Sequence, residues 1–226
     1  MARRRRANRL RSALAVGSVG LLVLAAWYGA ERFGWKAGGT APRDASAERV
    51  DAANEGRRVR VSGKLAFSGA PRDAQLRIGA DGVMLVRHVE MYQWYEHCDA
   101  GNCRYDGAWS AQRVDSTRFR TPAGHENPPF PFASARFAAG EIRLGAYVVD
   151  PELAAAQLAS VEYPVQASAL PPNLAVTFRD VDGVLYAGDD PAHPQIGTLR
   201  VNYRVFPAAN AVMIGMQRGD RLVVPD

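Results

Sequence analysis

From Ser12 to Ala30 the chain carries no charged side chain, a run of 19 residues, and no other feature restricts its folding as tightly. As a helix it would rise about 28 Å, against a hydrocarbon core of roughly 30 Å. Arg3, Arg4, Arg5, Arg6, Arg9 and Arg11 precede the run without an acid, and Glu31, Arg32 and Lys36 follow it. The basic excess on the N-terminal side holds that end in the cytoplasm and sends residues from Glu31 onward across the bilayer. Trp27 and Tyr28 lie at the far end, where amphipathic rings settle among the headgroups. Residues 1–12 therefore read as a basic cytoplasmic tail, 13–30 as a transmembrane signal-anchor helix in the lipid bilayer, and 31–43 as a linker containing Ala37–Pro42. Residues 44–226 read as one extracytoplasmic domain, periplasmic where the membrane is a bacterial inner membrane. A cleaved signal peptide uses the same pattern. Ala25 and Ala26 suit cleavage, but Trp27 and Tyr28-Gly29-Ala30 match a cleavage site poorly, and the uncleaved anchor is preferred.

Charge excludes a second class. The net charge is +5, yet the first eleven residues hold six arginines, which leaves residues 12–226 one unit negative. A near-neutral body lacks the basic stripe that phosphate backbones require, so no nucleic-acid partner is expected.

Beyond the linker, Asp44–Glu55 has helix-compatible spacing and predicts a short amphipathic helix ending at Gly56. The rest is mostly strand. Arg57–Gly63 alternates polar with apolar. Val83–His97 and Arg104–Val114 are rich in Val, Tyr and Trp and flank a short polar loop, a hairpin signal. Asp182-Gly183 suits a primed two-residue turn. Thr198–Phe206 alternates cleanly, and Val212–Gln217 can pair with Arg221–Val224 across Gly219-Asp220. One helix interrupts the pattern: Asp150 caps, Pro151 suits the first position, and Glu152–Ser160 is built of strong helix formers. Pro128–Phe132 must be irregular, because prolines neither donate to a ladder nor sit inside a helix. The fold class is α+β, mainly antiparallel β.

Chemistry-bearing residues are sparse. Cys98 and Cys103 flank four residues at the tip of the predicted hairpin, where opposed Cβ atoms come within about 5 Å. A structural disulfide is the preferred reading, with free thiols or a redox or metal role as alternatives. His97 and the two cysteines supply only three ligands, with no fourth in view. None of His88, His97, His125 and His193 forms H-E-x-x-H or H-x-H, so zinc hydrolase chemistry has no support and no cofactor or metal is expected. No nucleophile elbow, phosphate loop or dinucleotide fingerprint occurs. Asp180-Val181-Asp182-Gly183 opens like a calcium loop but lacks the remaining ligands, and a turn explains it better. His125-Glu126 reads as a loop-pinning pair before it reads as a general base.

Strand periodicity puts His88, Glu90, Tyr92, Trp94 and Glu96 on one face and Val89, Met91, Gln93 and Tyr95 on the other. A face with two acids, a histidine and two large rings is costly to bury whole and suits a semi-exposed contact surface.

The run Arg87–Glu96 resembles the hallmark segment of the transmembrane protein 43 (LUMA) family. Other similar segments follow in order. They are Asn54–Arg57 through Gly63, Tyr105–Trp109, Val114-Asp115-Ser116, Phe119, the turn Gly124-His125-Glu126-Asn127-Pro128, Pro194–Tyr203 and Gln217–Leu222. The resemblance covers roughly residues 13–224. It implies a membrane protein with an N-terminal span and a large non-cytoplasmic domain, with no enzymatic activity or cofactor defining the family. In animals such proteins organise membrane-protein complexes in the endoplasmic reticulum and inner nuclear membrane. Those relatives continue into further spans after the Gln-x-Gly-Asp segment. This chain is thus expected to be a shortened, single-pass version or a fragment of a longer protein. The cysteine pair lies outside the family pattern.

The expected function is a non-catalytic, membrane-anchored scaffold that binds another envelope protein or a second copy of itself. His88, Glu90, Tyr92, Trp94 and Glu96 are its candidate contacts, and Gly124, His125, Asn127 and Pro128 form a candidate loop motif. Two alternatives stand beside it. One is an envelope hydrolase or transferase using His125 or His88 with Glu90, and the other is a secreted small-ligand binder released by signal cleavage.

Overall fold

The computed structural model describes residues 41–225. The predicted tail, span and most of the linker lie outside the described residues. Among those described, no helix is long and apolar enough to cross a membrane.

In chain order the strands are β1 (Arg43–Ala45), β2 (Arg58–Ser68), β3 (Arg72–Asp73), β4 (Ile78–Gly79), β5 (Met84–Asp99), β6 (Asn102–Ser110), β7 (Ala135–Ala138), β8 (Glu141–Leu144) and β9 (Tyr147–Val149). Helix α1 (Pro151–Gln157), β10 (Val161–Glu162), helix α2 (Pro172–Ala175), β11 (Arg179–Val181), β12 (Val184–Ala187), β13 (Leu199–Phe206), β14 (Asn210–Arg218) and β15 (Arg221–Val223) complete the domain. Among the described residues, one sheet runs β1-β2-β14-β15-β9-β8, closed by a β2–β8 pairing. A second runs β11-β12-β13-β5-β6, with β10 on β13 and β7 on β5, while β3 and β4 pair alone. The domain is β-rich with few helices, as the alternating patterns predict.

Two cores follow from the period-two faces. The larger sheet sends Leu85, Val89 and Met91 of β5 and Val201, Tyr203 and Val205 of β13 inward, against Leu76, Phe132 and Phe178. The other sheet buries Val59, Val61, Leu65, Tyr147, Met213 and Leu222 with Leu153 of α1. The larger core contains one ionic knot. Asp73 is fully buried, and its Oδ2 accepts Arg87 Nη1 at 2.6 Å and Tyr203 Oη at 2.7 Å. Its Oδ1 accepts the Gln75 and Leu76 amides. Burial first, and then the bond to Asp73, raise the Tyr203 phenol above its ordinary value, so it stays a donor.

The Asp182-Gly183 turn has φ of +49° and +79°, the primed geometry that Asp-Gly favours. Asp150 caps α1 through the Glu152 and Leu153 amides. That helix approaches β14 so closely that a Cβ on Gly215 would lie 2.7 Å from Leu153 Cδ2. Gln157 closes the contact, accepting from Ile214 N at 2.9 Å and donating to Ile214 O at 2.8 Å.

One expected element is absent. Residues 44–55 form no amphipathic helix: Arg43–Ala45 pairs in parallel with Val59–Val61, and only Ala52–Asn54 makes a short 3-10 turn, capped by Asp51. The open edge of β2 offers those residues a ladder, and pairing with it overrides weak local helix propensity.

Candidate functional site

The hairpin β5–β6 extends beyond the core. Its buried inner face ends at Gln93, and from Trp94 to the tip the side chains are half-buried or exposed. Register places Tyr92 opposite Trp109, Trp94 opposite Gly107, Glu96 opposite Tyr105 and Cys98 opposite Cys103. These pairs share a face. A Cβ on Gly107 would meet the Tyr92 ring at 2.3 Å, so glycine is what lets that ring lie across the strand pair.

The loop 115–128 folds onto this face. Asp115 caps the short turn Ser116–Arg118, and the bond from the Thr117 hydroxyl holds its carboxyl below the ordinary value. Ser116 Oγ accepts the Asn127 amide at 2.9 Å. Asn127, 8% exposed, accepts from Trp94 N at 2.7 Å and donates to Trp94 O at 3.0 Å. His125 stacks on Tyr105 with ring centroids 3.7 Å apart and meets Trp94 edge to face at 5.1 Å. Its Nδ1 faces the Thr121 carbonyl at 3.0 Å. Glu96 Oε1 accepts from Tyr105 Oη at 2.7 Å and from the Arg120 amide. Tyr105 Oη in turn accepts from Thr121 N. The hallmark strand and the Gly-His-x-Asn-Pro turn, more than twenty residues apart in the chain, thus form one cluster of rings and satisfied polar groups.

Further up the strand the chemistry differs. Glu90 is 6% exposed, with Arg200 Nε 2.6 Å from its Oε2 and His88 Nε2 at 3.7 Å. Burial alone would raise its carboxyl, but the bonds to His88 and Arg200 outweigh that and hold it at about 2. Arg200 also lies 4.4 Å over the Trp109 ring. Glu90 is therefore buried, where a semi-exposed position was expected. It faces the predicted side, but β13 covers it and its charge is spent on Arg200. His88 has only 12% of its side chain exposed, whereas Tyr92, Trp94 and Glu96 are half-buried.

Of the groups in the hydrolase alternative, His88 and Glu90 lie together, 3.7 Å apart, and His125 stands apart from both. Trp94 lies four positions beyond Glu90, about 13 Å along a strand, and His125 sits on Trp94. The His125 ring bonds a backbone carbonyl rather than a hydroxyl or thiol. The hollows at the hairpin tip and beside Ser62 and Val212 include neither histidine. Cys98 and Cys103 are joined as a disulfide at the tip. Gly124, at φ +83°, starts the turn that presents His125, and Pro128 follows Asn127 half-buried.

Sequence reasoning did not single out Gln93, Asp73 or Arg200. Gln93 is fully buried, and its amide donates to Gln112 O and accepts from Val114 N, pinning the start of the loop. A polar residue on the apolar face of the strand was the available signal.

Fold and site together define a class: a β-rich domain whose long hairpin is braced by the turn 124–128 through Asn127 and His125. The chain belongs to the transmembrane protein 43 family, whose model matches residues 91–224, from the hallmark strand to the last strand. It is 27% identical to transmembrane protein 43 of Mus musculus in an alignment 208 positions long that covers 79% of this chain and 50% of that protein. The Homo sapiens protein gives the same figures. The Drosophila melanogaster homolog is 26% identical in an alignment 193 positions long that covers 78% of this chain and 50% of its own. The chain spans about half the length of the curated relatives it matches. No solved structure matches it.

Proposed function

We propose that this protein is a membrane-anchored, non-catalytic binding module that holds another envelope protein against the outer face of its hairpin. The His125–Tyr105–Trp94 ring cluster carries the reading: large rings half-exposed and fixed in place, with their neighbouring polar groups already hydrogen-bonded, offer contact area at little entropic cost. Rings of this kind anchor interfaces, whereas a catalytic site needs an unsatisfied reactive group aimed at open space. The name shared by the relatives, transmembrane protein 43, together with the uncharged run 13–30 behind six arginines, supports anchoring with the domain on the non-cytoplasmic side.

Site-specific photo-crosslinking in native membranes tests it. A photoreactive residue at Tyr92 should give a discrete adduct, while one at Ala108, opposite Gln93 and so on the other face, should not. Equal adducts from both faces, or none from Tyr92, would reject the reading.

A further inference from the structure

Glu96, Cys98 and Cys103 stand together at the hairpin tip. One carboxylate oxygen and both Sγ atoms lie within 4.8 Å of one another. The cause is register: Cys98 opposes Cys103 and Glu96 opposes Tyr105, so all three side chains emerge on one face of the strand pair. His97, the ligand that sequence proximity suggests, is on the other face. It lies opposite Arg104, beside Tyr95 and 4.0 Å from Asp106. The carboxylate is already oriented, because Tyr105 Oη and the Arg120 amide both hold Oε1 while Oε2 has no hydrogen bond among the described residues. Such outer-shell bonds commonly fix carboxylate ligands in metal sites. Cys98 and Cys103 also line the hollow at the tip, which gives an ion a path from solvent.

We propose that reduction of the Cys98–Cys103 bond converts the hairpin tip into a site for one borderline-soft divalent cation of the zinc type, ligated by both cysteine sulfurs and the Glu96 carboxylate. A dithiol gives the disulfide two electrons and two protons and is itself oxidised to a disulfide. The cation then displaces the two thiol protons and takes two thiolates and one carboxylate, leaving a fourth position for water. The two sulfurs need only separate from bonding distance to a metal-bridged distance, so the strand register survives. The tip would then be closed by a covalent bond under oxidising conditions and by a metal under reducing ones.

The test uses the full chain in detergent, reduced with a phosphine that is then removed without air, and titrated with Cd2+. The reduced chain should bind one Cd2+ with an ultraviolet thiolate-to-cadmium band, and the oxidised chain should show no band. Glu96→Gln should keep the band but weaken binding by more than the roughly 10- to 100-fold that loss of an outer-shell partner costs. His97→Ala should bind as the parent does. The absence of a band in the reduced chain, an unchanged affinity in Glu96→Gln, or an equal loss in His97→Ala would overturn the assignment. If circular dichroism shows Glu96→Gln unfolded, 113Cd resonance of the parent decides. A sulfur-and-oxygen environment supports the site, and one containing nitrogen rejects it.

Discussion

Asn127 treats Trp94 as a neighbouring strand would: its Oδ1 takes the Trp94 amide at 2.7 Å and its Nδ2 reaches the Trp94 carbonyl at 3.0 Å. One side chain thus closes the edge of β5 where the main-chain ladder ends, and it seats His125 on the rings of Trp94 and Tyr105.

Asn127→Ala should leave both Trp94 groups unpaired and cost about 3 kcal/mol, the sum expected for two part-buried orphans. Asn127→Asp keeps the acceptor only and adds a buried charge, so it should not rescue. Urea unfolding followed by tryptophan emission reads both. A loss below about 0.5 kcal/mol for the alanine variant would mean that water replaces the amide without penalty.

Glu90 makes stability depend on acid. Its folded carboxyl sits at about 2 against an ordinary 4.5, so its contribution is fully present above pH 4.5 and is lost as pH falls through about 2. The full effect is about 3 kcal/mol. Unfolding free energy measured between pH 5 and about 2 should fall more steeply in the parent than in Glu90→Gln, which is destabilised at neutral pH and flatter in acid. Parallel curves for the two proteins would show that Glu90 does not titrate as its pairing with Arg200 requires.

Ala100 occupies the left-handed region at φ +45°, next to Gly101 at +88°. Alanine is strained there, while Asn-Gly is the favoured pair for a primed two-residue turn. Ala100→Asn should therefore raise stability by about 0.5 kcal/mol, seen as a higher urea midpoint at unchanged slope. A lowered midpoint would mean that the turn tolerates alanine better than its backbone indicates.

The knot around Asp73 predicts a ranking. Asp73→Ala strands the buried Arg87 cation and should cost about 3 to 5 kcal/mol. Tyr203→Phe removes one charge-assisted bond and should cost about 2 kcal/mol. Chemical denaturation of the two variants orders them, and a tyrosine variant as damaging as the aspartate variant would contradict the assigned roles.

Short-range order was legible in the sequence because its causes are local. Alternation set the faces of β5 and β13, Asp182-Gly183 its primed turn, and Asp150-Pro151 the start of α1. The hairpin between Val83 and Val114 brought Cys98 opposite Cys103, since a tight turn dictates register. Family similarity also showed in fixed-order segments. Long-range pairing decided the rest. Arg200 stands 110 residues from Glu90, and only the placement of β13 beside β5 turned an apparently exposed acid into a buried partner. The free edge of β2 drew Arg43–Ala45 away from the helix that its composition favoured. Gln93, Asn127 and Gln157 each close backbone groups on a distant segment, which no periodicity records because an amide reads alike whether it meets water or a strand edge. Glu96 stands beside Cys98 and Cys103 while His97 does not, for the same reason. Neighbours in the chain point to opposite faces of a strand, and the cross-strand register decides which side chains meet.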